Sequence, residues 1–563
     1  MNCHYPLLSE SLRRVLTTGL ISWLAFAGLS VKAQEGDGRP ASEWQITPRI
    51  SIGATYSDNI RLAPSGEAES DLVLQVDPGI SVRKQGSRLK LRFDYTAQGL
   101  LYTQQGETRL NNKLLGSGTA ELYQDHLFLD VQGSISQIPN TTGSRVDAGN
   151  LGLGGGSGSS FATGLFNNLN LGLPGSANLL NSSGLFSDIA LTGDQTTASS
   201  FSLSPYWRQN FGGWTEALLR YRYSTTGFNQ DRGNNNQPGA SDGDIQSVQV
   251  NLKSGRRFSA LNWNLDYSRQ QQTLQGNSSD NPQQNNSDST EESAKGRADY
   301  RLSRHWALLA EAGYENNDVA TFQNDNRNGS YWGLGAIWDL NRFFSLGGLY
   351  GPNVNEIAAR WTPSPRLNFK ILRRDQTVGV NPGVRWNGSL DYQSRYGRWS
   401  AKYTEEVTST QQLLSTPVTV DDQGQIIVVD NPFGLTDQQF FRKRFDTDYT
   451  YQRGRNGWTV QAFSEDRQGE NNTGVSENAY GLGGLWTWRF APRTASFLGT
   501  GWEHDEFDDN QQNDYWVSII GLARVFTPDS GGLISYRYYQ NNAESSDQGF
   551  RENRLNIRFS TRF

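Results

Sequence analysis

One cysteine occurs in 563 residues, Cys3, and one methionine, the first residue. From residue 4 onward the chain therefore has no thiol, which excludes disulfides, thiolate metal sites and cysteine nucleophiles there. Cys3 is not in a lipobox, so no lipid anchor is expected. The four histidines are scattered: His4 near the N-terminus, then His126, His305 and His504 far apart, with no metal-ligand spacing. No Gly-x-Ser-x-Gly elbow accompanies the many serines, so neither an enzyme nor a cofactor is expected. Asn324, Asn326, Asn328 and Gly329 form a faint calcium-loop pattern that no acidic residue closes, and a polar loop is the better reading. Fifty-one basic against 57 acidic residues leave a net charge of −6, which argues against a nucleic-acid binder.

Long apolar runs are equally scarce. The mean hydropathy of −0.64 is too polar for a bundle of membrane helices, and the one continuous apolar stretch is 15–31. Arg13 and Arg14 precede it and Val31-Lys32-Ala33 follows, so 1–33 reads as a signal peptide for Sec export, with the mature chain starting near Gln34. About 17 residues is at the short limit for an anchor helix.

What the chain has instead is alternation. From Trp44 onward, period-two segments are separated by turn residues, with no helical period after the leader. In 88–101, Leu89, Leu91, Phe93, Tyr95 and Leu101 alternate with Arg88, Lys90, Arg92, Asp94 and Gln98; in 261–267, Leu261, Trp263, Leu265 and Tyr267 alternate with Asn262, Asn264 and Asp266. The last strand sets Leu555, Ile557, Phe559 and Phe563 against Arg554, Arg558 and Arg562. Unpaired arginines would be expelled from a dry core at several kcal/mol each. Lipid on one face and water on the other accommodate both sets. The expectation is an all-β, transmembrane, antiparallel up-and-down barrel of the bacterial outer membrane, with Arg88, Lys90, Arg92, Asp266, Arg554, Arg558 and Arg562 toward the lumen.

Connections alternate in length. Short ones such as 85–88, 124–126, 211–213, 303–305, 363–365, 396–398, 454–457, 491–493 and 528–532 are interleaved with long polar ones at 227–243, 274–289, 317–329 and 409–438. Placing both termini in the periplasm gives about 24 strands, with 20 to 24 as the range and the pair 331–340 and 345–350 the hardest to delimit. The short turns are basic. The densest acidic group, Glu503, Asp505, Glu506, Asp508, Asp509 and Asp514, reads as a solvated outer loop, suited in its sharper form to divalent-cation bridging of anionic surface glycolipid.

The segment 139–199 is unusual. Residues 148–187 carry no charge, yet they hold Phe161, Leu165, Phe166, Leu169, Leu171, Leu173, Leu179, Leu180, Leu185 and Phe186 among glycines and serines. A solvated loop rarely keeps so many apolar side chains. Two readings stand: a loop that enters and narrows the lumen, or a low-complexity surface loop.

Three segments together resemble a known family: Tyr56-Ser57-Asp58-Asn59-Ile60-Arg61-Leu62, Trp361-Thr362-Pro363-Ser364-Pro365-Arg366, and Tyr403 to Gln412. They are similar to the outer-membrane proteins associated with PEP-CTERM/exosortase systems, encoded among exopolysaccharide genes. Regions 139–199 and 341–355 depart from that pattern. The terminal Phe563, with Phe559, also resembles the assembly signal of outer-membrane barrels. These resemblances imply outer-membrane lipid and the barrel assembly machinery as partners, along with surface polysaccharide or its export components; they carry over no catalytic or ligand residue. The function expected is a passage or docking structure for surface polysaccharide or related solutes. A general diffusion porin and a surface adhesin or structural barrel are the rivals.

Overall fold

The computed structural model describes residues 44–139, 173, 195–230, 241–275, 288–319, 328–380, 382–415, 419–420, 426–427, 439–469, 476–507, 512–544 and 549–563. Residues 1–43 and most of 139–199 lie outside them. In chain order the elements are β1 (Trp44–Ser57), β2 (Asp71–Gln85), β3 (Leu89–Tyr102), β4 (Thr108–Tyr123), β5 (Leu127–Pro139), β6 (Gln195–Phe211), β7 (Thr215–Gln230), β8 (Asp242–Ser254) and β9 (Leu261–Gln275). Then come β10 (Ser289–Arg301), β11 (Trp306–Val319), β12 (Gly329–Asn341), β13 (Phe344–Gly351), β14 (Val354–Ser364), β15 (Leu367–Gln376), β16 (Gly383–Gln393) and β17 (Gly397–Thr408). After a one-turn helix, α1 (Thr410–Ser415), and a two-residue ribbon of β18 (Thr419–Val420) with β19 (Ile426–Ile427), the wall resumes. It continues with β20 (Phe440–Arg453), β21 (Asn456–Gln468), β22 (Ser476–Ala491), β23 (Thr494–Phe507), β24 (Gln512–Thr527), β25 (Ser530–Ala543) and β26 (Phe550–Arg562).

All strands but β18 and β19 belong to one 24-stranded antiparallel sheet in which each pairs with its sequence neighbour. The sheet closes on itself through β1 and β26, where Tyr56 faces Leu555 and Arg49 faces Arg562. Closure leaves no unpaired edge, the condition for placing strands in lipid. The pair at 331–340 and 345–350 is present as β12 and β13. The hairpin joining β13 to β14 is tight even though it lies at the long-loop end, and Asn353 takes its left-handed corner at φ 66°.

Side chains alternate across the wall as the pattern requires. Outward residues are large and apolar: Leu334, Ile520 and Ile557 are 61%, 54% and 51% exposed. Aromatic rings collect at both rims. Trp306, Trp338, Trp458 and Trp486 stand toward the short turns, with Trp306 stacked on its register partner Trp338 at 5.8 Å; Trp332, Tyr350, Trp502 and Trp516 stand toward the long connections. Two such girdles suit the two interfaces of a bilayer.

Two expectations change. Glu503 and Asp505 are not in an outer loop: β23 runs on to Phe507 and turns both carboxylates inward, where they are buried, while Asp514 lies in β24 and accepts bonds from Trp502 Nε1 and His504 Nδ1. Strand continuation outweighs the solvation that charge alone suggests. Nor is the inner wall uniformly mixed in charge. Along β24 the inward residues Tyr515, Val517, Ile519, Ala523 and Val525 are buried and apolar, so this strand is apolar on both faces.

Candidate functional site

The inner face is where the chain concentrates charge, and most of that charge is paired. Glu465 on β21 accepts bonds from three arginines, Arg442 Nη2 at 2.9 Å, Arg444 Nη1 at 2.5 Å and Arg467 Nε at 2.6 Å, and the cluster is buried. On β26, Arg558 Nη2 reaches Asp77 across the seam at 2.8 Å, and Glu552 holds Arg554, Arg537 and the Ser57 hydroxyl. Charges removed from bulk water must be matched in this way, because a single missing partner leaves a costly isolated ion.

The register sets Lys90, Arg92, Asp266, Arg554, Arg558 and Arg562 on this same inner face. Arg92 pairs with Asp94, Asp266 accepts from Asn251 and Asn264, and Arg562 pairs with Asp529. Arg88 falls in the exposed turn before β3 rather than in the wall. Phe559 and Phe563 point outward, and the Phe563 amide donates to Pro48 O at 2.9 Å, carrying the seam to the last residue.

The wall does not enclose a simple cylinder. Arg374 on β15 reaches Glu311 on β11 at 2.6 Å, and Arg297 on β10 reaches Glu356 on β14 at 3.0 Å. Four strand steps at about 4.8 Å separate these partners along the sheet, roughly 19 Å, too far for two side chains unless the sheet folds back. Its inner corner is lined by glycines: a Cβ on Gly335 would collide with Gly348 O.

At the end of the long connections, the fold-back closes. The Ser409 hydroxyl donates to Gln272 Oε1 on β9 at 3.0 Å, and Gln439 Nε2 donates to Ser289 Oγ and Glu291 Oε1 on β10 at 3.0 and 3.4 Å. Ser409, Thr410 and Gln411 are fully buried, and Gln411 donates onward to Ser241 O beside β8. These residues end the Tyr403 to Gln412 segment whose resemblance was noted. Their position inside the barrel had no signature in the sequence, because the segment reads as an ordinary polar loop start.

Within the lobe formed by β10 to β17 lies a cavity of about 490 Å³. One lateral row of its lining follows the register Ser345, Arg360, Lys370, Ser389, Lys402. Arg360, Lys370 and Lys402 are exposed to the interior and have no carboxylate partner among the described residues. The adjacent acids are engaged: Glu356 by Arg297 and Arg374, Asp446 by Arg444 at 2.7 Å.

On the inner wall of β22 to β25, Leu173, 5% exposed, belongs to the buried apolar cluster that includes Leu485, Phe497, Tyr515, Val517 and Ile519. Phe161, Leu165, Phe166, Leu169, Leu171, Leu179, Leu180, Leu185 and Phe186 lie outside the described residues. Among the described residues no group of histidines and carboxylates is spaced to hold a metal, and His126 and His305 contact backbone carbonyls. Asn328 bonds both backbone groups of Asn317, as a polar strand-end cap does.

No family model matches the chain, and no curated protein matches it. Among solved structures it is similar to the siderophore receptor PirA of Acinetobacter baumannii, with 10% identity, 91% of this chain and 80% of that one covered, and a TM-score of 0.42. It is also similar to a mutant of the ferric enterobactin receptor PfeA of Pseudomonas aeruginosa, with 10% identity, 93% and 81% covered, and a TM-score of 0.44. The FrpB iron transporter of Neisseria meningitidis gives 11% identity, 92% and 82% covered, and a TM-score of 0.41.

Proposed function

We propose that this chain, after removal of a leader at 1–33, is a barrel of the bacterial outer membrane that forms a passage or docking structure for surface polysaccharide or related solutes. The apolar outer band between two aromatic girdles supports the membrane location. The observation that carries the functional reading is the partition of the lumen: a folded-back wall, polar contacts joining β9 and β10 to the segment 409–439, and an apolar inner wall that needs covering. Such an interior suits a passage that opens on engagement better than a porin that is always open. The uncharged segment 148–187 is the proposed cover of that wall, with Leu173 as the supporting contact. The resemblance to exosortase-associated proteins supports polysaccharide as the solute class. Export would be passive or partner-driven. The test is a strain lacking the chain: polysaccharide should fall at the cell surface and accumulate in the periplasm, whereas unchanged surface polysaccharide would contradict the reading.

A further inference from the structure

We infer that Arg360, Lys370 and Lys402 form a binding site for the negatively charged groups of an acidic saccharide chain, with Ser345 and Ser389 as hydroxyl partners between them. The inference rests on the passage reading and adds to it the charge of the solute. Its basis is a contrast within one interior. Glu465 collects three arginines, Glu552 two and Asp77 one, so much of the interior charge is tied up in ion pairs, whereas these three cations stand in one register row of the cavity wall. Arg360, Lys370 and Lys402 are exposed to the cavity, and the nearest acids in register are committed elsewhere.

Neighbouring strands lie about 4.8 Å apart, so Arg360 and Lys370 are one step apart and Lys402 two steps further, a ladder roughly 15 Å long. A single small anion would satisfy one rung. A linear oligosaccharide with one carboxylate per sugar, repeating at about the strand spacing, would engage several. Guanidinium and ammonium groups in a narrow, water-filled lobe of low-dielectric walls bind such groups with little sequence-like selectivity, and salt weakens them. The cavity of about 490 Å³ is large enough for a few sugar units rather than a whole chain.

The test uses the full-length folded barrel in detergent micelles and calorimetric titration with hexagalacturonate, maltohexaose and inorganic phosphate. Wild type should bind hexagalacturonate at least tenfold more tightly than either other probe, with affinity falling as salt rises. The triple variant Arg360→Gln, Lys370→Gln, Lys402→Gln should lose at least tenfold of that affinity while keeping its heat-dependent gel shift, and Lys90→Gln on a distant part of the wall should lose none. Equal binding of hexagalacturonate by wild type and triple variant, or none by wild type, would overturn the site; phosphate binding as tight as hexagalacturonate would overturn the chain-binding form. Surface polysaccharide of the strain lacking the chain reads the passage separately, so loss of surface polysaccharide in that strain without acidic-chain binding by the purified barrel would sink this inference alone, and unchanged surface polysaccharide would sink the passage.

Discussion

Ser409 and Gln272 are hydrogen-bonded at 3.0 Å although β10 to β16 lie between their strands along the sheet. Eight strand steps correspond to roughly 38 Å of wall. A 3.0 Å contact between points so far apart means that the wall has doubled back and closed one lobe of the lumen at its outer end. Gln439 with Ser289 makes the same closure from the other side of the segment.

This closure can be trapped chemically. The chain beyond residue 3 has no cysteine, so Ser409→Cys with Gln272→Cys introduces the only thiols beyond that position. A short bis-maleimide should join them in the folded barrel, and the boiled product should migrate differently from the unlinked chain. Failure to cross-link in a protein that still shows a heat-dependent shift would mean that the lobe is open.

Outward and inward positions should respond oppositely to charge. Ile520 is in the middle of β24 and faces out, so Ile520→Arg should cost about 2 to 4 kcal/mol and sharply reduce assembled protein. Gln249→Arg, at a mid-strand inward position of β8, should assemble nearly normally. Similar yields of both in isolated outer membrane would reverse the assignment of faces.

Glu465 should matter more than its count of one suggests. Glu465→Ala leaves Arg442, Arg444 and Arg467 without their shared acceptor inside the barrel, a loss of about 3 to 5 kcal/mol for a buried pair broken from one side. The temperature at which the folded gel band disappears should fall by many degrees. Replacing Glu406, half-exposed and 3.7 Å from Arg442, should barely move it.

The last residue should act on assembly rather than on export. Deleting Phe563 removes its N–H hydrogen bond to Pro48 O and an outward ring at the seam, so less protein should reach the heat-shifted form while leader removal proceeds normally. Normal assembly of the shortened chain would remove the terminal aromatic from the account.

The wall was legible in the sequence because period-two alternation and turn residues are local signals: the count of 24 strands and the β12–β13 pair followed from them. The fold-back was not, since it depends on contacts such as Arg374 with Glu311, far apart in sequence, and on glycines whose role appears only when two strands approach. Glu503 and Asp505 were misplaced because charge was read as solvation, while the barrel interior offers a second polar environment. Tyr515, Val517 and Ile519 escaped for the opposite reason: a strand apolar on both faces hides which face is inner, and only the register and the buried cluster that includes Leu173 separate the two. The unpaired row of Arg360, Lys370 and Lys402 required the register of β14 to β17 and the ion pairs around it.

Single-channel recording in planar bilayers tests the central claim of a partitioned lumen most directly. Wild-type protein should conduct far less than an unobstructed 24-stranded barrel, and replacing residues 148–187 with a short Gly/Ser linker should raise the conductance severalfold while the barrel remains heat-modifiable. A large steady conductance in wild type, unchanged by the excision, would contradict the account and identify an open porin.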